Sequence, residues 1–340
     1  MDAKRITTGM ITGLLAATLL AGCGGGGGKS SGGSGGSGGN AANNPPKIET
    51  PARAPVSTAP AMTFKFGSTE AKVYELTGVD LKKDIRTNRI VTLGDDIFFH
   101  TDSAGNEDNL GHMKKVTMKN ETISNLTDLG PSGDIHELAT NGKEVVWPGS
   151  SKTDAKEKTV IYNGKETAVR GKWLGKTMGD PETGNYFVGR GPKFMEAKLE
   201  NGEWKEVKVL VEDTRKLDQG FDRVIFNPVS VVKGELYMRY VLPKKEGEKD
   251  DTPMLAAFGK DGKMLRTYEG VKELPRGWAV TDNYVIATGS QGIFRVYERQ
   301  SGKLLGEAKI QMRPFALWTK TGNDVIVYDD RAKKLYRIDF

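Results

Sequence analysis

From about Thr63 to the C-terminus, short apolar runs alternate with turn dipeptides, and the texture stays uniform. The strongest runs are Ile97-Phe98-Phe99, Val145-Val146-Trp147, Tyr186-Phe187-Val188, Leu236-Tyr237-Met238, Tyr284-Val285-Ile286 and Val325-Ile326-Val327. They begin 41 to 50 residues apart, a period typical of propeller blades. No window of eleven residues or more keeps a helical apolar spacing without a Gly or Pro; Val211 to Gln219 is the best short helical candidate. A tight turn precedes each strong run: Gly94-Asp95, Asn141-Gly142, Thr183-Gly184, Lys233-Gly234, Asp282-Asn283 and Thr321-Gly322. A second hairpin follows in five units, at Lys119-Asn120, Asn163-Gly164, Asn201-Gly202, Asp261-Gly262 and Ser301-Gly302. Asn-Gly and Asp-Gly supply the positive φ angles of two-residue hairpins.

Five units therefore read as four-stranded antiparallel blades. The sixth offers three strands, Phe315 to Thr319, Asp324 to Tyr328 and Lys334 to Asp339. An early β-like stretch, Ala71 to Leu76 or Thr63 to Phe66, has no blade of its own. Docked on the last blade, it would close the ring and cover a sheet edge. The prediction is all-β: a six-bladed β-propeller over 63–340, its last blade completed by an N-terminal strand. A β-sandwich also turns every 8–12 residues, but it does not repeat a two-hairpin unit six times.

Ahead of the propeller the pattern is different. Lys4 and Arg5 precede an uncharged run from Ile6 to Gly22, short for a bilayer span and proportioned like a secretory h-region. The run ends Leu20-Ala21-Gly22-Cys23, and Cys23 is the only cysteine of the chain. This resembles the complete lipobox of bacterial lipoprotein signal peptides. The resemblance implies cleavage before Cys23, a lipid thioether on it and an acylated N-terminus. Several acyl chains anchor stably where one is marginal. Of the 16 residues from Gly24 to Gly39, 11 are Gly and 4 are Ser, and Pro45, Pro46, Pro51, Pro55 and Pro60 follow. Such a segment behaves as a coil that becomes stiffer where proline enters. The expected organisation is a signal peptide over 1–22, a lipidated tether over 23–62 and the propeller over 63–340. The expected location is the cell envelope, with the membrane contacted through the lipid.

Within the repeats, Val296-Tyr297-Glu298-Arg299-Gln300-Ser301-Gly302-Lys303-Leu304-Leu305 and Phe258-Gly259-Lys260-Asp261-Gly262-Lys263-Met264-Leu265 resemble quinoprotein-like and WD40-like propeller repeats. The WD dipeptide and the tryptophan docking motif are not among them. The resemblance carries over no catalytic residue. It implies an envelope scaffold or assembly role by fold analogy alone.

Composition narrows the chemistry. A single Cys excludes an internal disulfide and a cysteine zinc finger. The net charge of +6 is spread along the chain, which argues against a nucleic-acid partner. No phosphate-loop, nucleophile-elbow or zincin motif occurs; Gly189-Arg190-Gly191-Pro192-Lys193 lacks the necessary spacing. His100, His112 and His136 read as strand or loop residues rather than as a triad member or metal centre. Asp102 to Asn109 is oxygen-rich without EF-hand spacing, and it reads as a solvated loop, as does Lys244 to Asp251. No catalytic residue, metal or cofactor is assigned.

One repeated feature suggests binding. Arg89, Arg223, Arg276 and Arg313 stand just before the expected innermost strands, and Lys172 and Lys176 flank the equivalent place in the third unit. Converging at one channel mouth, they would make a positive funnel for an anionic ligand or acidic protein partner. Pairing of each Arg with an acid such as Asp222 or Glu273 is the plainer alternative. Trp147, Trp173, Arg190 and Lys193 are placed on the same face as an aromatic and cationic rim. Trp278 and Trp318 are placed in the core. The reading is a monomeric, lipid-anchored binding or scaffolding module at the bacterial envelope. The alternative is a propeller hydrolase or lyase acting on glycans or lactones.

Overall fold

The computed structural model describes residues 59–81, 85–101, 111–133, 137–149, 158–173, 175–213, 227–244, 246–247, 251–272, 275–319 and 323–340. Among these, every regular element is a strand. The signal peptide, Cys23 and the tether up to residue 58 lie outside them, as do Arg223, His136 and most of the helical candidate after Val211.

Two strands come first, β1 (Met62–Phe66) and β2 (Thr69–Glu75). Blade 1 holds β3 (Ile85–Leu93), β4 (Asp96–Thr101), β5 (His112–Lys119) and β6 (Thr122–Pro131). Blade 2 holds β7 (Ala139–Thr140), β8 (Val145–Pro148), β9 (Lys158–Tyr162) and β10 (Thr167–Lys172). Blade 3 holds β11 (Lys176–Gly179), β12 (Tyr186–Arg190), β13 (Lys193–Glu200) and β14 (Glu203–Val211). Blade 4 holds β15 (Asn227–Val232), β16 (Glu235–Leu242), β17 (Thr252–Phe258) and β18 (Met264–Glu269). Blade 5 holds β19 (Pro275–Val280), β20 (Tyr284–Gly289), β21 (Ile293–Glu298) and β22 (Leu304–Lys309). Blade 6 ends the chain with β23 (Pro314–Thr319), β24 (Asp324–Asp329) and β25 (Lys334–Asp339). Each blade is an antiparallel meander, and the first strand of each touches the first strand of the next, with β23 returning to β3. The molecule is the six-bladed propeller that the repeat predicted.

The unbroken apolar runs have a simple cause. Side chains along a strand point alternately to opposite faces. A blade is covered on both faces by its neighbours, so both sets must be apolar. On β4, Ile97 and Phe99 pack toward blade 6 with Tyr328 and Leu335. Phe98, between them, packs toward blade 2 with Trp147 and Tyr162. Six such clusters fill the six junctions, and each draws on two adjacent blades.

The sixth blade is closed by both early strands. Its sheet runs β1-β2-β25-β24-β23, so β2 supplies the fourth strand and β1 adds a fifth. Either stretch alone was expected; hydrophobic burial uses the two together. Val73 and Phe66 are buried in the junction with blade 5, and β1 lies against β22. Beyond β2, Thr77 donates to the Glu121 carbonyl at 2.9 Å and accepts from Ile123 N–H at 2.7 Å, joining the closing segment to blade 1. Arg337 of β25 completes the seam with Glu121 at 2.5 Å, its guanidinium 4.5 Å from the Tyr74 ring centroid.

Around the channel the inner strands come very close. At Gly179 on β11 an added Cβ would stand 2.0 Å from the Thr140 carbonyl oxygen on β7. Only glycine admits that approach. Three inner strands share a further device. Pro228, Pro275 and Pro314 are each followed by a residue that drops out of register. Proline gives the ladder no donor, and the bulge beside it removes a backbone group from pairing.

Candidate functional site at the channel mouth

The inner strands begin at one mouth of the channel, and Arg89 is the side chain that organises it. It lies in the irregular stretch of β3 between the register pairs Ile85–Thr101 and Ile90–Phe99. From blade 1 its guanidinium donates to the Thr177 carbonyl on β11 at 3.1 Å and to the Val229 carbonyl on β15 at 2.9 Å. Val229 is the bulged residue after Pro228, so its carbonyl is turned out of the ladder. Arg89 therefore spans the channel from blade 1 to blades 3 and 4. Burial, then the charge of Arg239, push its pKa down to about 10, against an opposing pull from Glu137. It remains a cation at neutral pH.

Other polar groups stand beside it. Glu137, just ahead of β7, accepts a hydrogen bond from the Trp173 indole N–H. Lys176, the first residue of β11, donates to Asn227 Oδ1 at the foot of β15. Arg239 pairs in register with Asn227 on the neighbouring strand. Arg190 ends β12 and is exposed, and Lys193, across the turn from it, is 3.8 Å from Glu206. Among the described residues, Lys176, Arg190 and Arg239 thus stand along the side formed by blades 3 and 4, with Arg89 reaching in from blade 1.

Of the four arginines expected to ring the mouth, the described residues show the side chains of two, Arg89 and Arg313. Arg89 is spent on main-chain carbonyls. Arg313 is exposed at the start of β23, with its guanidinium 3.7 Å from Asp330 of its own blade. Arg276 is the bulged residue of β19, and its side chain lies outside the description, as does all of Arg223. Lys172 ends β10, the strand farthest from the channel in blade 2. At about 4.8 Å per strand, that is roughly 14 Å from the inner strand. Trp147 and Trp173 are not on a rim. Trp147 is fully buried between blades 1 and 2, and Trp173 is buried between blades 2 and 3, edge-on to Trp204. Apolar area drew both indoles inward. Trp278 packs against the blade 4–5 junction as expected.

Of the histidines, His100 is buried on β4, and His112 pairs through Nδ1 with the Asp128 carboxylate at 2.8 Å on the surface. Among the described residues, no three His, Cys, Asp or Glu side chains group as metal ligands. Arg239, Glu137 and Asn227 escaped the sequence reading. Arg239 had a usable signal, a lone charge inside Tyr237-Met238-Arg239-Tyr240, one of the most apolar strands of the chain.

Comparison with protein-family models and with curated proteins found no match.

Proposed function

We propose that this chain is a lipid-anchored binding module of the bacterial cell envelope, holding an anionic or protein partner at the mouth where its inner strands begin. The observation that carries the reading is the set of Arg89, Lys176, Arg190 and Arg239 brought to one mouth from blades 1, 3 and 4. These side chains donate hydrogen bonds and attract anions, and their arrangement suits recognition more than proton transfer. The first and second strands of their blades hold them, and the Gly/Ser/Pro segment ahead of the propeller would let the module reach a partner away from its anchor. Cys23 supplies the anchor in this reading.

Photo-crosslinkers placed singly at Arg190 and at Ser301, in the second-hairpin turn at the opposite ends of the strands, test it in native envelopes. Crosslinks to a discrete species from position 190 and not from 301 are expected. Equal crosslinking from both positions, or none from 190, refutes it.

A further inference from the structure

The innermost strand of each blade has a neighbouring strand on one edge only. Its other edge faces the channel, and the backbone groups along that edge need partners from outside the sheet. On β11 and β15, two such groups are met by one side chain from across the ring. Arg89 Nη1 donates to the Thr177 carbonyl at 3.1 Å, and Nη2 donates to the Val229 carbonyl at 2.9 Å. In a ring of six, blade 4 stands opposite blade 1 and blade 3 stands beside blade 4. The guanidinium therefore crosses the channel to make both bonds.

Both ends of this link are prepared by irregular backbone. Between the pairs Ile85–Thr101 and Ile90–Phe99, the stretch of β3 is longer than the facing stretch of β4. Such a bulge re-aims the side chains it carries, here Arg89. On β15, Val229 drops out of register after Pro228, which frees its carbonyl from the ladder. The two acceptors belong to different strands, so a forked donor is needed to hold both at once. Arginine has that fork, and lysine is a point charge.

We infer that Arg89 is a brace across the propeller channel, tying blade 1 to blades 3 and 4 independently of the apolar junctions between neighbouring blades. The inference goes beyond the binding reading above and stands whether or not the mouth holds a partner. In the braced state the channel is occupied at the level of these two carbonyls.

The test is thermal unfolding of the purified chain, Arg89→Ala and Arg89→Lys at pH 7.5. Arg89→Ala takes this donor from both carbonyls. Water already reaches part of the Arg89 side chain and softens the loss, so Tm should fall by about 3–6 °C. Arg89→Lys keeps the charge without the fork and should fall by about half as much. Ethylguanidinium, at up to about 20 mM, fits the vacated space and should restore at least half of the Arg89→Ala loss in a saturable way. Ethylammonium at equal concentration should restore far less, and the parent, whose channel is occupied, should gain from neither. An Arg89→Lys Tm equal to the parent's, equal rescue of Arg89→Ala by the two cations, or no rescue by ethylguanidinium overturns the inference. Should Arg89→Ala fail to fold, the comparison of Arg89→Lys with the parent decides alone.

Discussion

Replacing Glu235 is expected to unfasten the junction between blades 4 and 5. This carboxylate opens β16 and receives Arg266 Nη2 at 2.5 Å on one oxygen and Arg299 Nη1 at 2.5 Å on the other. The Tyr237 hydroxyl donates to it at 2.6 Å. Arg299 belongs to blade 5, and its side chain is only 4% exposed. Its Nε donates to the Asp282 carbonyl at 2.9 Å, and its own carbonyl accepts from the Tyr268 hydroxyl. Without the Glu235 charge, Arg299 becomes a buried cation with neutral partners alone. Breaking a buried pair from one side costs about 3–5 kcal/mol. Because 21% of the Glu235 side chain is still wet, the low end, about 3 kcal/mol, applies to Glu235→Gln. With an unfolding entropy of about 2.1 cal/mol/K per residue over roughly 280 residues, that is a fall of about 5 °C in Tm. Burial alone would raise the Glu235 pKa, but hydrogen bonds from Arg266 and Tyr237 and the charges of Arg266 and Arg299 outweigh it and hold it below the usual 4.5. A depressed folded-state pKa gives stability that is complete above the unfolded value and disappears as pH falls through the folded one. The gap between the parent and Glu235→Gln should therefore be constant from pH 7 to about 5 and narrow below about pH 4.5. Calorimetry across that range measures it. Adding Arg299→Met to Glu235→Gln should recover much of the loss, since the stranded cation is then gone. A Tm within 1 °C of the parent for Glu235→Gln, or a double variant less stable than the single one, would refute the reasoning.

Three further outcomes are expected. Deleting residues 24–58 should leave Tm unchanged, while deleting 24–76 removes β1 and β2, bares the edge of β25 and should sharply lower Tm or solubility; equal Tm values for the two would refute closure by these strands. Trp147→Ala should destabilise by about 3–5 kcal/mol, because it empties a fully buried site between blades 1 and 2; an effect below 1 kcal/mol in denaturant titration would contradict that packing. Cys23→Ala should abolish lipid modification and release the protein from membranes in fractionation, and retention of a processed Cys23→Ala chain would exclude the lipid anchor.

The sequence by itself determined the architecture. A strand covered on both faces must be apolar at consecutive positions, and a two-residue hairpin favours Asn, Asp or Gly where φ is positive. At Asn201 and Gly202 the angles are 53° and 81°. Both demands are local, so they print in the chain at a period of one blade, and six repeats count six blades. The missing fourth strand of the last unit was legible for the same reason. That β1 joins β2 on that blade was not, because the choice is made by Phe66 and Val73 finding apolar neighbours on blade 5, far away in the chain.

The channel mouth was decided by the tertiary structure alone. Arg89 was visible as a charge before an apolar strand, but its partners are carbonyls on Thr177 and Val229, 88 and 140 residues away. A carbonyl acceptor has no side-chain signature, so no residue pattern could announce the bond. Trp147 shows the converse. Its indole suits a rim or a core equally well by chemistry, and only the meeting of two blades supplied the apolar surface that buried it. Local backbone requirements are written residue by residue; which side chains share a mouth depends on how six separately specified sheets close into a ring.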